Sequence, residues 1–416
     1  MTTAQPSTGR GSVALVVALG ALSAFGPLCL DMYLPALPDL PVSLHSTAGA
    51  AQLSLTACIV GLAVGQLIAG PLSDRVGRRP PLLLGVALFT VASAACAVVT
   101  SMPALIVMRL LQGAAGAAGI VVGRAVVADL FAGRAAAAYF SSMAAINGLA
   151  PILAPVIGGQ IVRVGSWRTV FWVLAGVGIA LWLLTFAVVR ESLPPQRRVR
   201  RGIGGVFRSF AVVTRDGPAV GYILAGTLVA AAMFGYISGS PFLLQDGFHL
   251  SPQQFSFCFA ANAAGIVLAG QTSRVLLRRG AQSVRLLAYG VGQACVGAVL
   301  LLIAVSAGLA LPFVLVGLWV MVSSVGIALP NASALVMDRH RSIAGAASAV
   351  FGLAQYATAT ITTPLVGIGD RERGVALGVT AVCCVGFAAA AFWFARRGWA
   401  RREGGRGGER AAELSS

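Results

Sequence analysis

The chain has 416 residues, 57% of them hydrophobic and only 10% charged, with a formal net charge of +17 and a mean hydropathy of +0.86. A soluble domain carries about 25% charged residues, so this composition cannot cover a globular surface and excludes an ordinary water-soluble enzyme or binding module. The 30 basic residues are all arginine; they lie between long apolar runs, so the net charge reads as membrane topology rather than as a nucleic-acid footprint.

A helix needs about 20 apolar residues to cross the hydrocarbon core. The sequence predicts twelve such spans: 13–34, 48–72, 80–100, 103–126, 136–162, 167–189, 218–241, 252–276, 283–306, 311–336, 343–368 and 373–395. The first has no clear small-residue cleavage site and carries Asp31, so it reads as a span and not as a signal peptide. With both termini in the cytoplasm, 25 of the 30 arginines fall in cytoplasmic segments. Only Arg163, Arg168, Arg371 and Arg373 fall in outer loops, and Arg109 lies inside a span. That asymmetry sets the orientation and places the chain as a multi-pass protein of a bacterial cytoplasmic membrane.

Residues 190–217 form the longest segment between spans, rich in arginine and containing Pro194-Pro195. They divide the chain into an N-terminal six-helix half (1–189), a basic cytoplasmic linker (190–217), a C-terminal six-helix half (218–395) and a basic cytoplasmic tail (396–416). The halves echo each other. Shifted by 200, residues 61–80 lie on 261–280 without a gap, matching Gly65 to Gly265, Gly70 to Gly270, Ser73 to Ser273, Arg78 to Arg278 and Arg79 to Arg279. The predicted fold is therefore an all-α membrane protein of twelve helices in two pseudo-symmetric halves. The second copy has no counterpart of Asp74, so only the first loop is expected to switch.

The loop between the second and third spans reads Gly70-Pro71-Leu72-Ser73-Asp74-Arg75-Val76-Gly77-Arg78-Arg79. It combines two glycines, one anion and three cations at a membrane surface, and it resembles the signature loop of the major facilitator superfamily. Three further segments add to the likeness: Asp31-Met32-Tyr33-Leu34-Pro35-Ala36 at the end of the first span, Arg109-Leu110-Leu111-Gln112-Gly113 in the fourth, and Asn147 to Gly159 in the fifth. Together they are similar to the Bcr/CflA branch of twelve-helix drug:proton antiporters. The resemblance implies a conformational latch from Gly70, Asp74, Arg75, Gly77 and Arg78 with Asp129, in which Asp74 holds the start of the eleventh span. It also implies an antiporter motif from Pro151, Pro155, Gly158 and Gly159, with the fifth span packed closely on the eighth. Ala154 stands where that motif usually has glycine, as is common in this branch.

Two ionisable residues stand apart. Asp31 is the one carboxylate inside a span and away from its cytoplasmic end; a charge at depth is costly and usually functional, which makes it a candidate proton carrier. The plainer reading is a carboxylate at the outer interface that helps end the helix. Arg109 starts about 9 Å below the outer end of its helix at 1.5 Å per residue, a depth similar to that of Asp31. The two are expected to meet, unless Arg109 is a snorkelling side chain. Candidates for a substrate cavity are Tyr33, Gln112, Asn147, Tyr236 and Gln355, all equally able to serve as packing residues. The seven cysteines show no metal-ligand spacing, and the three histidines sit in separate loops. An enzyme is therefore not expected, and neither is a cofactor. The expected function is proton-driven export of drug-like or amphipathic small molecules, of multidrug or chloramphenicol/bicyclomycin type. The expected partners are substrate, protons and the bilayer, with no nucleic acid, and the chain is expected to be monomeric. An uptake symporter or facilitator of the same fold is the alternative.

Overall fold

The structure, a computed structural model, describes residues 10–198, 204–367 and 374–413. Residues 199–203 of the linker, Arg371, Arg373 and the facing ends of the predicted eleventh and twelfth spans lie outside them. The described residues form helices α1 (Arg10–Ser23), α2 (Phe25–Asp31), α3 (Asp39–Ser43), α4 (Ala48–Val76), α5 (Arg79–Val98), α6 (Met102–Leu130), α7 (Gly133–Val164), α8 (Trp167–Val188), α9 (Gly204–Arg215), α10 (Gly217–Pro241), α11 (Pro252–Arg278), α12 (Ser283–Ser306), α13 (Leu311–Ser323), α14 (Val325–Arg339), α15 (Ala344–Leu365) and α16 (Val375–Glu413).

Among the described residues, ten helical stretches are long and apolar enough to cross a membrane, with α13 and α14 counted as one, and the bent pair α1–α2 supplies an eleventh. The twelfth is α15. Gln355, Tyr356 and its threonines make it less apolar, but its 22 residues reach about 33 Å at 1.5 Å per residue. The twelve predicted spans are thus all present as helices.

The first span is not straight. Residues Ala14–Ser23 and Phe25–Ala36 meet at 46°. The cause is local: Pro27 has no N–H to give the Ser23 carbonyl four residues back, and its ring crowds that carbonyl. The Ser23 hydroxyl donates to the Gly20 carbonyl instead of leaving the turn (2.6 Å). Asp31 is the last residue of the short second arm.

The chain forms two compact units, one of residues 1–201 with 237–261, the other of 202–236 with 262–416. This differs from a single division at 190–217. The end of α10, the π-helical turn Phe242–Gly247 and the start of α11 join the first unit, because specific contacts hold them there: Gln52 Nε2 donates to the Ser238 carbonyl (3.3 Å), and Gln253 Nε2 to the Gly159 carbonyl (3.3 Å).

Inside the first unit α4 and α6 touch backbone to backbone. A Cβ on Gly61 would lie 2.1 Å from the Leu110 carbonyl oxygen, and one on Gly113 would lie 2.2 Å from that of Cys58. Lipid supplies no hydrophobic drive between helices, so small residues that allow such approach determine the packing. The second unit repeats the device at its own α11–α14 contact, where a Cβ on Gly326 would lie 2.1 Å from the Ile266 carbonyl oxygen. There Asn331 Nδ2 donates to Ser273 Oγ (2.8 Å); at the end of α14, Arg339 forms a two-pronged pair with Asp216, between α9 and α10 (2.8 and 3.0 Å).

Candidate functional site

Two polar clusters occupy opposite ends of the first unit. The deeper one is built on Arg109 of α6, which is fully buried. Its Nη1 donates to the Cys29 carbonyl (2.8 Å) and to Gln112 Oε1 (2.6 Å). Gln112 Nε2 donates on to Ser93 Oγ (2.7 Å). The guanidinium faces the rings of Tyr33 (4.7 Å to the centroid) and Phe171 (5.6 Å), as a cation over an aromatic quadrupole should. Tyr33 shares a 2.9 Å hydrogen bond with Ser54. Arg109 Nε and Nη2 find no acceptor among the described residues.

Asp31 lies two residues beyond Cys29, 5% exposed. The expected meeting of Asp31 with Arg109 is not what the structure shows. Among the described residues no ion pair within 4.0 Å involves either group, and no hydrogen bond to the Asp31 carboxyl is formed. The reason is geometric: Arg109 is held by the backbone of the α2 arm at Cys29, and Tyr33 lies across its face. Arg109 is also no snorkelling side chain, because nothing of it reaches the surface.

The same cage corrects two cavity candidates. Tyr33 and Gln112 are fully buried and committed to Arg109. Tyr236 is buried too, accepting from Asn262 Nδ2 (3.0 Å). Asn147 on α7 and Gln355 on α15 keep partial exposure. Ser93, Ser54 and Phe171 were not singled out by sequence, since hydroxyl and aromatic residues on an apolar helix carry no signal of their own.

The fifth-span motif packs against the arm beyond the bend. A Cβ on Gly158 would lie 2.0 Å from the Met32 carbonyl oxygen, next to Asp31. One on Gly159 would lie 2.4 Å from Ser256 Oγ and 3.0 Å from the Pro252 carbonyl oxygen of α11. Pro151 and Pro155 lie within α7, about two turns and one turn before this contact. Gly158→Ala would therefore force backbone apart from backbone. It is expected to cost about 1–3 kcal/mol of stability and to lower transport, read as melting midpoint and vesicle transport on the same preparation. Wild-type values for both would show that α7 and the Met32 backbone separate freely.

The second cluster closes the opposite end of the unit. Much of the loop read over 70–79 is helical: α4 runs on to Val76, and only Gly77 and Arg78 separate it from α5. Arg78 is the hub: Nε donates to Asp129 Oδ2 (2.8 Å), and Nη1 donates to Ser73 Oγ (2.8 Å) and to Asp74 Oδ1. Ser192 Oγ donates to the same Asp129 oxygen (3.0 Å). Gly77 has φ +106, and a Cβ there would lie 2.4 Å from Glu191 Oε2; glycine is required on both counts. Gly70 offers its carbonyl to Ser73 Oγ (2.8 Å). Arg75 is exposed and takes no part. The corresponding second-half loop holds no ion pair among the described residues, in keeping with its missing acid.

Glu191 is the member that sequence reading missed. Its carboxylate accepts from the backbone N–H groups of Arg78 (2.8 Å), Arg79 (3.2 Å) and Leu193 (3.0 Å), an anion at the N-terminus of α5. Partial burial works against its charge, but these three donors and the Arg198 guanidinium outweigh it and hold the carboxyl below its ordinary range. A depressed carboxyl contributes stability above its unfolded value, near 4.3, and loses it as pH falls through the folded value. Glu191→Gln is thus expected to flatten the acid limb of stability below about pH 4.3, and to change stability at pH 7 by no more than about 1 kcal/mol at so exposed a site. Melting midpoints from pH 3 to 7 would check this; superimposable acid limbs would remove Glu191 from the anchor.

The model of the Major Facilitator Superfamily matches residues 18–390. The chain belongs to the Major Facilitator Superfamily. The superfamily likeness extends along most of the length of individual relatives. The chain is 36% identical to an uncharacterized MFS-type transporter, YdgK, of Bacillus subtilis, covering 90% of this chain and 94% of that protein. It is 27% identical to a bicyclomycin resistance protein homolog of Haemophilus influenzae, covering 92% and 96%. Among solved structures, a mutant of the peptide transporter POT in complex with alafosfalin superposes with a TM-score of 0.75 at 15% identity, covering 94% of this chain and 96% of that one. This last likeness is one of fold. The two clusters therefore belong to a multi-span membrane transporter of the Major Facilitator Superfamily.

Proposed function

We propose that the protein exports drug-like, amphipathic small molecules across the cytoplasmic membrane in exchange for protons, with both termini in the cytoplasm. The observation that carries this reading is Asp31: a carboxylate buried at the end of the short helical arm beyond a proline bend, with no cation or hydrogen-bond donor committed to it among the described residues. A lone carboxylate at depth is stable only when neutral or wetted. It can therefore take up a proton in one state and release it in another. Arg109 keeps two unused donors on a fixed guanidinium, an electrostatic partner for the Asp31 anion when the bend rearranges. The proton gradient is the only energy source this needs, with no cofactor.

The drug class follows from the resistance name of the Haemophilus influenzae relative and from the match of the chain's motif segments to the Bcr/CflA branch. Asn147 and Gln355, which keep partial exposure, are proposed as substrate contacts, and the Arg78 network, including Asp74 and Asp129, as the conformational latch. The transporter is proposed to work as a monomer. Inverted vesicles test the whole reading. Accumulation of a fluorescent amphipathic drug on energisation, abolished by an uncoupler and accompanied by proton release, is expected. Accumulation that survives the uncoupler, or substrate movement with the proton, would favour a facilitator or symporter.

A further inference from the structure

On the first unit, α4, α5 and α6 enclose a groove of about 350 Å³. Its walls include Ile68, Leu72, Leu84, Leu88 and Leu111, and no charged or hydrogen-bonding side chain lines it. Ile68, Leu84 and Leu88 are more than half exposed. They lie inside membrane spans, so the groove opens to hydrocarbon and not to water. Along α5 it runs from Pro81 to Ala95, about 21 Å at 1.5 Å per residue. Half of a bilayer core is about 15 Å, so the groove is longer than one leaflet.

Its cytoplasmic mouth carries a charge. Arg75 follows Leu72 by three residues, on the same face of α4, in the last turn of that helix. It is exposed and has no hydrogen bond or ion pair among the described residues. Its neighbours differ: Arg78 is committed to Asp74 and Asp129, and Arg79 donates to the Phe186 carbonyl (2.9 Å). An apolar groove ending at a cation with no partner among the described residues matches the two ends of one lipid.

We propose that the groove holds one acyl chain of an anionic phospholipid, whose phosphate pairs with Arg75. The leaflet, though not the binding, rests on the orientation proposed above. A cationic amphipathic drug would meet repulsion at the mouth. An acyl chain fits both the volume and the lining, and a phosphate group fits the cation.

Native mass spectrometry of the full chain in mild detergent tests this, titrating phosphatidylglycerol, phosphatidylcholine of the same acyl chains, and inorganic phosphate. The wild type is expected to retain one phosphatidylglycerol in preference to phosphatidylcholine, undisturbed by inorganic phosphate. Arg75→Gln, a surface change, is expected to weaken phosphatidylglycerol about fivefold, the equivalent of about 1 kcal/mol per cation near a membrane surface, and to leave phosphatidylcholine unchanged. Leu88→Trp with Ala95→Leu fills the slot from its lipid-facing wall and is expected to lower retention of both lipids. Equal retention of the two lipids by the wild type, or an Arg75→Gln protein that binds phosphatidylglycerol as before, would overturn the proposal. Displacement by inorganic phosphate would reduce the site to a simple anion contact. Displacement by an amphipathic drug would make the groove a substrate entrance instead. Because the readout is binding in detergent, it stands apart from whether the chain exports drugs.

Discussion

Asp31→Asn is expected to reduce proton-driven efflux to background while the protein still inserts, folds and binds substrate. The substitution keeps the shape and removes only the exchangeable proton. Nothing among the described residues is bonded to the carboxyl, so no network collapses with it, and the fold should tolerate the amide. Drug-dependent proton release in vesicles, measured beside drug binding in detergent, separates coupling from binding. Wild-type proton release from the variant would move the proton site elsewhere, with Asp74 and Asp129 next in line. Loss of binding equal to loss of transport would instead make Asp31 a substrate contact.

Arg109→Met should likewise hold stability while function is lost. Arg109 is fully buried, and two of its donor nitrogens have no acceptor among the described residues. Burying a cation with incomplete bonding is costly, and replacing it by an apolar chain of similar length is often neutral or stabilising. Methionine fills the cage between Tyr33 and Phe171 and keeps contact with both rings. The melting midpoint should therefore not fall, whereas transport should drop at least about tenfold, the loss that about 1.4 kcal/mol produces. Arg109→Ala is the contrasting control. It leaves a cavity and is expected to cost about 2–5 kcal/mol, so a transport defect there would say little. A methionine variant that unfolds early would show that Arg109 serves the fold rather than the cycle.

Much of this was legible in the chain because membranes impose a coarse grammar. Apolar length gave the twelve spans, and the 70–79 loop announced its own charge cluster. Ser73, Asp74, Arg78 and Asp129 are joined as residues of those types should be. What escaped was set by distances between helices. Asp31 and Arg109 share a depth, but depth says nothing of rotation about a helix, and Arg109 turns to the Cys29 carbonyl. Tyr33 and Gln112 looked like cavity residues for the same reason. Glu191 lay just past the expected end of its span, where a lone acid among arginines reads as solvated charge. Only the fold brings it against the start of α5. The bend at Ser23 had its cause in Pro27, a residue visible in sequence, yet a proline in a span does not state which way the helix turns.

The backbone contact of α4 with α6 has a mechanical meaning. With Gly61 and Gly113 seated against opposing carbonyls, the two helices have little room to slide, so they behave as one rod. Arg109 sits towards one end of that rod and Asp129 at the other, 20 residues apart in sequence, or about 30 Å at 1.5 Å per residue. Ser73 and Asp74 ride on the same rod through α4. A tilt of the rod by about 5° about the Arg109 end would therefore carry Ser73, Asp74 and Asp129 together by about 2.6 Å over that arm of about 30 Å, past an Arg78 whose backbone is held by Glu191 at the start of α5, enough to break a hydrogen bond. Protonation near the bend and release of the charge cluster at the far rim can thus be geared together by leverage alone. No chain of relaying side chains is needed between them.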